Sequence, residues 1–306
     1  MPGVKKLLIS CCIVILMIHI TSCKQNTTVV PGSIDVASGP VGSMLSENRR
    51  KRETIALITP EFRERILEKQ QRNKDTVGWL YIPDTSVDQV VLKTPVNQTN
   101  EYYLGIDFEG RPDRDGTFCT DRRAVFGTGY RDELSRNITI YGHSWDDDPD
   151  GKLFSQLKRF RDADFAREHP YIFFSTEAED MVWEVFAVFE APTDLVYNYP
   201  DLPENYFYDI LDIIDAASLY SYDIAISPED KILTLSTCIY SVQGHEQLPE
   251  INEYRFVVMA RLASPEEAIK QEAVFAVNTE PISPDEILHL IDNGAIREYT
   301  HGAQTA

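Results

Sequence analysis

The sequence predicts a mixed, largely β fold, a barrel or sandwich with a few added helices. Three observations predict it. Many short apolar runs rich in Val, Ile, Phe, Tyr and Trp are bounded by Gly, Pro, Asn or Asp. Patterns with helical period occur at only a few places. There is no internal repeat, which argues against a solenoid or propeller.

The chain opens on a targeting segment. Lys5-Lys6 supplies a positive start, and Leu7 to Ile20 is almost wholly apolar. That run suits a signal h-region of about 7–15 residues better than a membrane span of about 20. Ile20-Thr-Ser-Cys23 resembles the lipobox of bacterial lipoproteins, in which Cys23 would be lipidated and become the new N-terminus. The alternative is an uncleaved signal anchor with Cys23 incidental. Both place the remainder on the extracytoplasmic face of a membrane, held there by the N-terminus. Residues 24–53 read as a flexible tether, rich in Ser, Thr, Gly and Val and closing on the basic cluster Arg49-Arg-Lys-Arg52.

The folded part is expected over 54–263. Thr59-Pro-Glu-Phe opens a helix, with Thr59 as N-cap and Pro60 in the first turn, running to about Arg72. Gly78–Ile82 and Gln89–Leu92 read as strands joined through Pro83-Asp84. Asn100–Leu104 is a helical turn or loop, and Gly116–Thr120 a short strand. Asn137–His143 is a strand, and Lys152–His169 is helical, with Leu153, Phe154, Leu157 and Phe160 on or near one face. Tyr171–Phe174 and Met181–Phe189 are strands. A long excursion follows, carrying a helix over about Asn205–Ala217, before the strands Leu233–Cys238 and Tyr254–Leu262. Residues 264–306 form a helical tail, with Ser264-Pro-Glu-Glu and Ser283-Pro-Asp-Glu each capping a short helix. No function is assigned to the tail.

Among 306 residues the formal charge is -20. Phosphates would be repelled, so nucleic acid is not an expected partner. The apolar fraction of 43% suffices for a full core. Cys11 and Cys12 lie in the signal, which leaves Cys119 and Cys238 in the body, too few for a disulfide framework. A Cys119–Cys238 bridge stays open as the structural alternative.

Three strands carry chemistry at their ends. Leu233-Thr-Leu-Ser-Thr-Cys238 ends on a thiol, Asn137-Ile-Thr-Ile-Tyr-Gly-His143 ends on an imidazole, and Tyr254-Arg-Phe-Val-Val-Met-Ala-Arg-Leu262 begins with a guanidinium at Arg255. Rigid strands fix reactive atoms while leaving one side open. A cysteine transpeptidase or protease follows. His169 and His245 are alternatives to His143, and Arg261 is an alternative to Arg255. Asp146, Asp148, Asp150 and Gly151 match the start of a calcium loop, but Leu157 stands where its closing glutamate belongs. The segment reads as a polar entry to the next helix, and neither metal nor cofactor is expected.

Taken in order, these motifs resemble those of a sortase, and within that family class B. The resemblance runs through Asp75-Thr-Val-Gly-Trp-Leu-Tyr-Ile-Pro83, Asn100-Glu-Tyr-Tyr-Leu104, Gly116-Thr-Phe-Cys-Thr-Asp121 and Ile140-Tyr-Gly-His143. It continues through Gly151-Lys-Leu-Phe154 and His169-Pro170 to Thr234–Cys238 and Arg255–Leu262. It implies a sortase-like β-barrel with an N-terminal helix and a helix in the long loop before the cysteine strand. It implies a transpeptidase that cuts a C-terminal sorting signal of exported surface proteins through a thioester and passes the carboxyl end to a peptidoglycan amine. By resemblance Cys238 is the nucleophile, His143 the general acid and base, and Arg255 the oxyanion donor. Ser236 and Thr237 would line the groove, and Asn100 and Leu104 would hold the sorting peptide. A pilin polymerase, a hydrolytic cysteine protease and a non-catalytic binding lipoprotein are the alternatives. Cys119 in a strand, the long 241–254 loop, the lipobox and the tail depart from the class B pattern.

Overall fold

The computed structural model describes residues 62–241, 254–265, 267 and 270–296. The expected signal, Cys23, the tether, the Thr59 cap, His245 and most of the 241–254 loop lie outside the described residues.

Residues 62–72 form helix α1. Strands β1 (Thr76–Tyr81) and β2 (Asp88–Lys93) make an antiparallel hairpin. Asp84 takes a left-handed φ of 56° at the turn, a conformation Asp tolerates through its short polar side chain. Single 3-10 turns at Tyr102–Gly105 and Arg131–Glu133 flank β3 (Cys119–Thr120). Next come β4 (Asn137–Tyr141), helix α2 (Ala163–Glu168), β5 (Tyr171–Ser175) and β6 (Val182–Pro192). Helix α3 (Glu204–Ala217), β7 (Tyr220–Tyr222), β8 (Ile232–Cys238) and β9 (Tyr254–Leu262) follow, then β10 (Phe275–Val277) and α4 (Pro284–Asp292).

Eight strands close into a barrel in the order β1-β2-β3-β4-β8-β9-β6-β5, with β5 returning to β1. Closure removes the exposed edges that an open sheet would present. The pairs β2–β3 and β4–β8 are parallel and the rest antiparallel. The expected mainly β fold with added helices is therefore the observed one, and the barrel rather than the sandwich is its form.

Two expectations are corrected. The Lys152–His169 helix is not continuous. Leu153–Arg161 is wound as 3-10 turns, and Asp162 starts α2 afresh by accepting the N–H groups of Asp164 and Phe165, both at 2.9 Å. That cap competes with helix continuation and ends the first run. The described residues around Ser264 form no helix. Beyond them β10 pairs with β7 as a small second sheet, where Phe275 packs on Tyr220 and Tyr222. The second tail helix does form, and Ser283 and Glu286 complete its capping box.

The barrel interior holds Ile138, Ile140, Leu233, Leu235, Phe256, Val258, Trp183 and Phe174. Two further apolar clusters coat the outside. One lies under α1 and includes Phe62, Ile66, Trp79 and Cys119. The other joins α3 and α4 to Phe189, Val257 and Met259. Strands β6 and β9 are thus buried on both faces, which explains why they read as near-continuous apolar runs rather than alternating ones.

Candidate active site

Register brings the three candidate side chains together. β4 and β8 pair with Thr139 opposite Thr234 and Tyr141 opposite Ser236. The pairing carries on past the end of β4. The Gly142 N–H reaches the Ser236 carbonyl at 3.4 Å, and the Thr237 hydroxyl donates to the Gly142 carbonyl at 2.7 Å. One step further, His143 comes level with Cys238. Across the other edge of β8, Cys238 is the direct partner of Arg255. Imidazole, thiol and guanidinium so occupy one row across three neighbouring strands.

Alternation sets their face. Ile138 and Ile140, Leu233 and Leu235, and Phe256 and Val258 point into the barrel. The intervening positions point out, and 143, 238 and 255 continue that outward series. Below the row the outward face is polar and covered. Asn137 donates to the Tyr197 carbonyl at 2.8 Å and accepts from Thr234 at 2.8 Å, and Ser236 is hydrogen-bonded to the Tyr197 hydroxyl at 2.9 Å.

The Tyr-Gly-His motif has a packing cause. A Cβ on Gly142 would stand 2.6 Å from the Phe118 ring and 2.8 Å from Phe154. Those rings stack at 4.2 Å directly beneath the residue before His143. His143 itself is half-buried, and its Nε2 lies 2.8 Å from the Leu104 carbonyl. A carbonyl only accepts, so Nε2 carries the proton.

Cys238 is a free, half-buried thiol. Its carbonyl accepts a 2.7 Å hydrogen bond from Lys158 Nζ, which also donates to Ser144 at 2.5 Å. The Lys158 side chain is 1% exposed and Asp147 lies 3.7 Å away. Burial pulls the Lys158 ammonium down to about 8, against the opposing pull of Asp147. Asp147 also takes the Tyr240 and Ser241 N–H groups at 3.0 and 2.6 Å, and the Tyr240 hydroxyl donates to the Ser144 carbonyl. The loop after His143 is thereby tied to the chain after Cys238. No sequence signal marked Lys158. In an α-helix it would stand four residues after Phe154 on the same side. The 3-10 run instead sets Phe154, Leu157 and Phe160 in one row and Lys158 beside it, against the Cys238 carbonyl.

Arg255 is half-buried, and its Nη1 donates to the Tyr254 carbonyl at 2.9 Å. Its rival Arg261 is committed elsewhere, paired with Glu184 at 2.9 Å and Glu267 at 3.0 Å. His169, the described rival to His143, is buried between the Phe165 carbonyl at 2.8 Å and Asp84 at 2.9 Å. Cys119 is a free buried thiol on the far side of β4, and burial pushes it up to about 12. The alternative Cys119–Cys238 bridge is absent.

The four groove residues are distributed unevenly. Leu104 reaches the site through its backbone. Ser236 and Thr237 are each 2% exposed. Ser236 lies on the Cys238 face with its hydroxyl on Tyr197, whereas Thr237 turns to the opposite face. Asn100 donates to Asp121 at 2.8 Å and accepts the Arg122 N–H at 2.9 Å. In the 146–150 loop, Asp146 and Asp148 each accept a backbone N–H two residues on, and Asp150 pairs with Arg159.

A barrel that sets Cys, His and Arg in one outward row has the class of architecture expected of a cysteine transpeptidase. The family model described as Sortase domain matches residues 80–263. Sortase B of Listeria monocytogenes is 31% identical over 229 residues, covering 70% of this chain and 89% of that protein. Sortase B of Staphylococcus aureus is 30% identical over 182 residues, covering 59% of this chain and 68% of that one. Among solved structures, the 2.0 Å crystal structure of Staphylococcus aureus sortase B is similar with a TM-score of 0.56 and 25% identity, covering 71% of this chain and 97% of its own. Sortase B from Listeria monocytogenes gives a TM-score of 0.51 at 32% identity, covering 64% and 99%. The chain belongs to the sortase family, as a class B sortase.

Proposed function

We propose that this sortase cleaves a C-terminal sorting signal of exported surface proteins and transfers the new carboxyl end to a peptidoglycan amine. The observation that supports this most is the shared row of His143, Cys238 and Arg255 on one outward face. The Cys238 thiolate attacks the scissile carbonyl, forming a C–S bond. Negative charge moves to the carbonyl oxygen, where the forked donors of Arg255 meet it. Collapse breaks the C–N bond, and His143 gives a proton to the departing amine. The product is a thioester on Cys238. An incoming amine then loses its proton to His143 and attacks the thioester, which restores the thiolate.

Leu104 and Asn100 hold the peptide from the neighbouring wall and Ser236 underlies the row, whereas Thr237, on the opposite face, acts only by bracing the Gly142 carbonyl and does not line the groove as expected. A Staphylococcus aureus sortase B–substrate complex stands among the similar structures, which supports a substrate site in this fold. Residues 1–23 export the chain and hold it at the extracytoplasmic face, by lipidation at Cys23 or as an uncleaved anchor. Residues 54–263 are the catalytic domain.

Mass spectrometry of the protein incubated with a library of sorting peptides tests the reading. A mass addition on Cys238 that an added oligoglycine or diaminopimelate amine discharges as a ligated peptide is the expected result. A thioester discharged only by water makes the protein a hydrolytic peptidase, and preference for a lysine side chain within a folded pilin makes it a pilin polymerase. Modification of Cys119 would overturn the assignment.

A further inference from the structure

Among the described residues His143 hydrogen-bonds to no carboxylate. A catalytic imidazole commonly relies on a third group to fix its plane, and here the ring meets two other contacts. Its edge meets the Leu104 carbonyl. Its face stacks on the Trp145 indole, with centroids 4.8 Å apart and planes 25° from parallel.

The indole is itself held. Its Nε1–H donates to Asp115 at 2.9 Å, and the other carboxylate oxygen of Asp115 accepts from Lys152 at 2.9 Å. The Lys152 bond holds the Asp115 carboxyl below the usual carboxylate range, so it stays ionised as an acceptor at neutral pH. The Arg114 guanidinium carbon lies 4.1 Å from the indole centroid. Arg114 and Asp115 and the Leu104 carbonyl belong to one unit. Asp113 donates to the Gly105 carbonyl at 3.1 Å and Thr117 to that of Tyr103 at 2.8 Å. Between them Gly116, at a φ of 62°, passes so close that a Cβ would stand 2.5 Å from the Leu104 oxygen. One folded loop therefore reaches the imidazole twice, at the edge directly and at the face through Trp145.

We infer that Trp145, latched by Asp115, is the positioning residue for His143. It restricts rotation of the ring about its side-chain bonds, so that Nε2–H stays on the Leu104 carbonyl and Nδ1 keeps one direction for exchanging a proton with the leaving amine. This rests on the reading of His143 as the proton donor.

That dependence supplies a selective readout. An amide needs a proton on its leaving nitrogen, whereas an ester of the same acyl peptide leaves far more easily without one. The peptide trapped on Cys238 is made in both forms and given to wild type, Trp145→Ala, Trp145→Phe and Asp115→Ala. Trp145→Ala is expected to lower kcat on the amide by about 10–10²-fold, with KM little changed and the ester largely spared. Trp145→Phe, which keeps a stacking face, restores most of the rate. Asp115→Ala falls between the two. Equal losses on amide and ester, or an unchanged amide rate in Trp145→Ala, overturn the inference.

Nuclear magnetic resonance gives a second measurement that needs no turnover. The His143 ring protons lie upfield in the indole ring current and return towards free-histidine shifts in Trp145→Ala. Unshifted protons in folded wild type overturn the stack whatever the activity. If wild type forms no thioester but the upfield shift is present, it is the functional reading that fails.

Discussion

The two cysteines of the barrel flank the same strand and lead opposite lives. Cys119 pairs with Tyr141 across one edge of β4, and Cys238 lies on β8 along the other. Cys119 is packed among Trp79, Tyr103 and Leu92, where burial pushes its thiol up to about 12. Cys238 ends its strand half-exposed, level with an imidazole and opposite a guanidinium. The difference lies in position in the register rather than in residue type, one thiol packed in a cluster and the other at a strand end beside His143 and Arg255. Buried Cys119 behaves as a small hydrophobe, its thiolate disfavoured by desolvation.

The largest test of that contrast exchanges the two thiols. Cys238→Ala is expected to lose at least about 10⁴-fold in turnover and all thioester by mass spectrometry, while Cys119→Ala retains turnover per folded molecule. The arginines sharpen it next. Arg255→Ala should lower kcat by about 10²–10³-fold. Arg261→Ala should instead cost stability, about 1–3 kcal/mol for stripping a partner from buried Glu184, because Lys270 stays on that carboxylate at 2.6 Å. Urea denaturation beside a peptide assay separates the two effects.

The smallest effect concerns the ammonium beneath Cys238. Lys158 is held near 8 in the folded protein, below its ordinary 10.5. Between those values the unfolded chain holds a proton that the native state has released, so this group makes stability rise with pH. Below about pH 8 both states are protonated, and the cost of burying the charge is constant. Urea midpoints from pH 7.5 to 9.5 should therefore climb more steeply in wild type than in Lys158→Met. Parallel profiles would show that the burial of Lys158 does not shift its proton.

Much of this was legible beforehand because strands announce themselves by period and site residues by their place at strand ends. The nine residues of β9 match the expected range from Tyr254 to Leu262, and β8 differs from its expected range only by adding Ile232. The facing of Thr237 was also within reach. Alternation from Cys238 puts Ser236 on the same side and Thr237 on the other. Lys158 was not legible, since a lysine in a helical pattern reads as solvated and its burial follows from partners distant in sequence, Ser144, Asp147 and the Cys238 carbonyl. Nor was the β7–β10 pair, whose short strands acquire their partners only from tertiary packing.

The parallel pairing of β4 with β8 has a consequence for how the chain matures. Its two strands are separated by α2, β5, β6, α3 and β7 in the chain, so the contact, like that of β1 with β5, is long-range and slow to form. His143 cannot meet Cys238 until that seam is zipped. A chain emerging unfolded across a membrane would carry an idle thiol, and catalytic competence would appear only when barrel closure is complete. Recovery of peptide cleavage during refolding is then a direct clock for the seam, lagging behind the burial of Trp183 in the core.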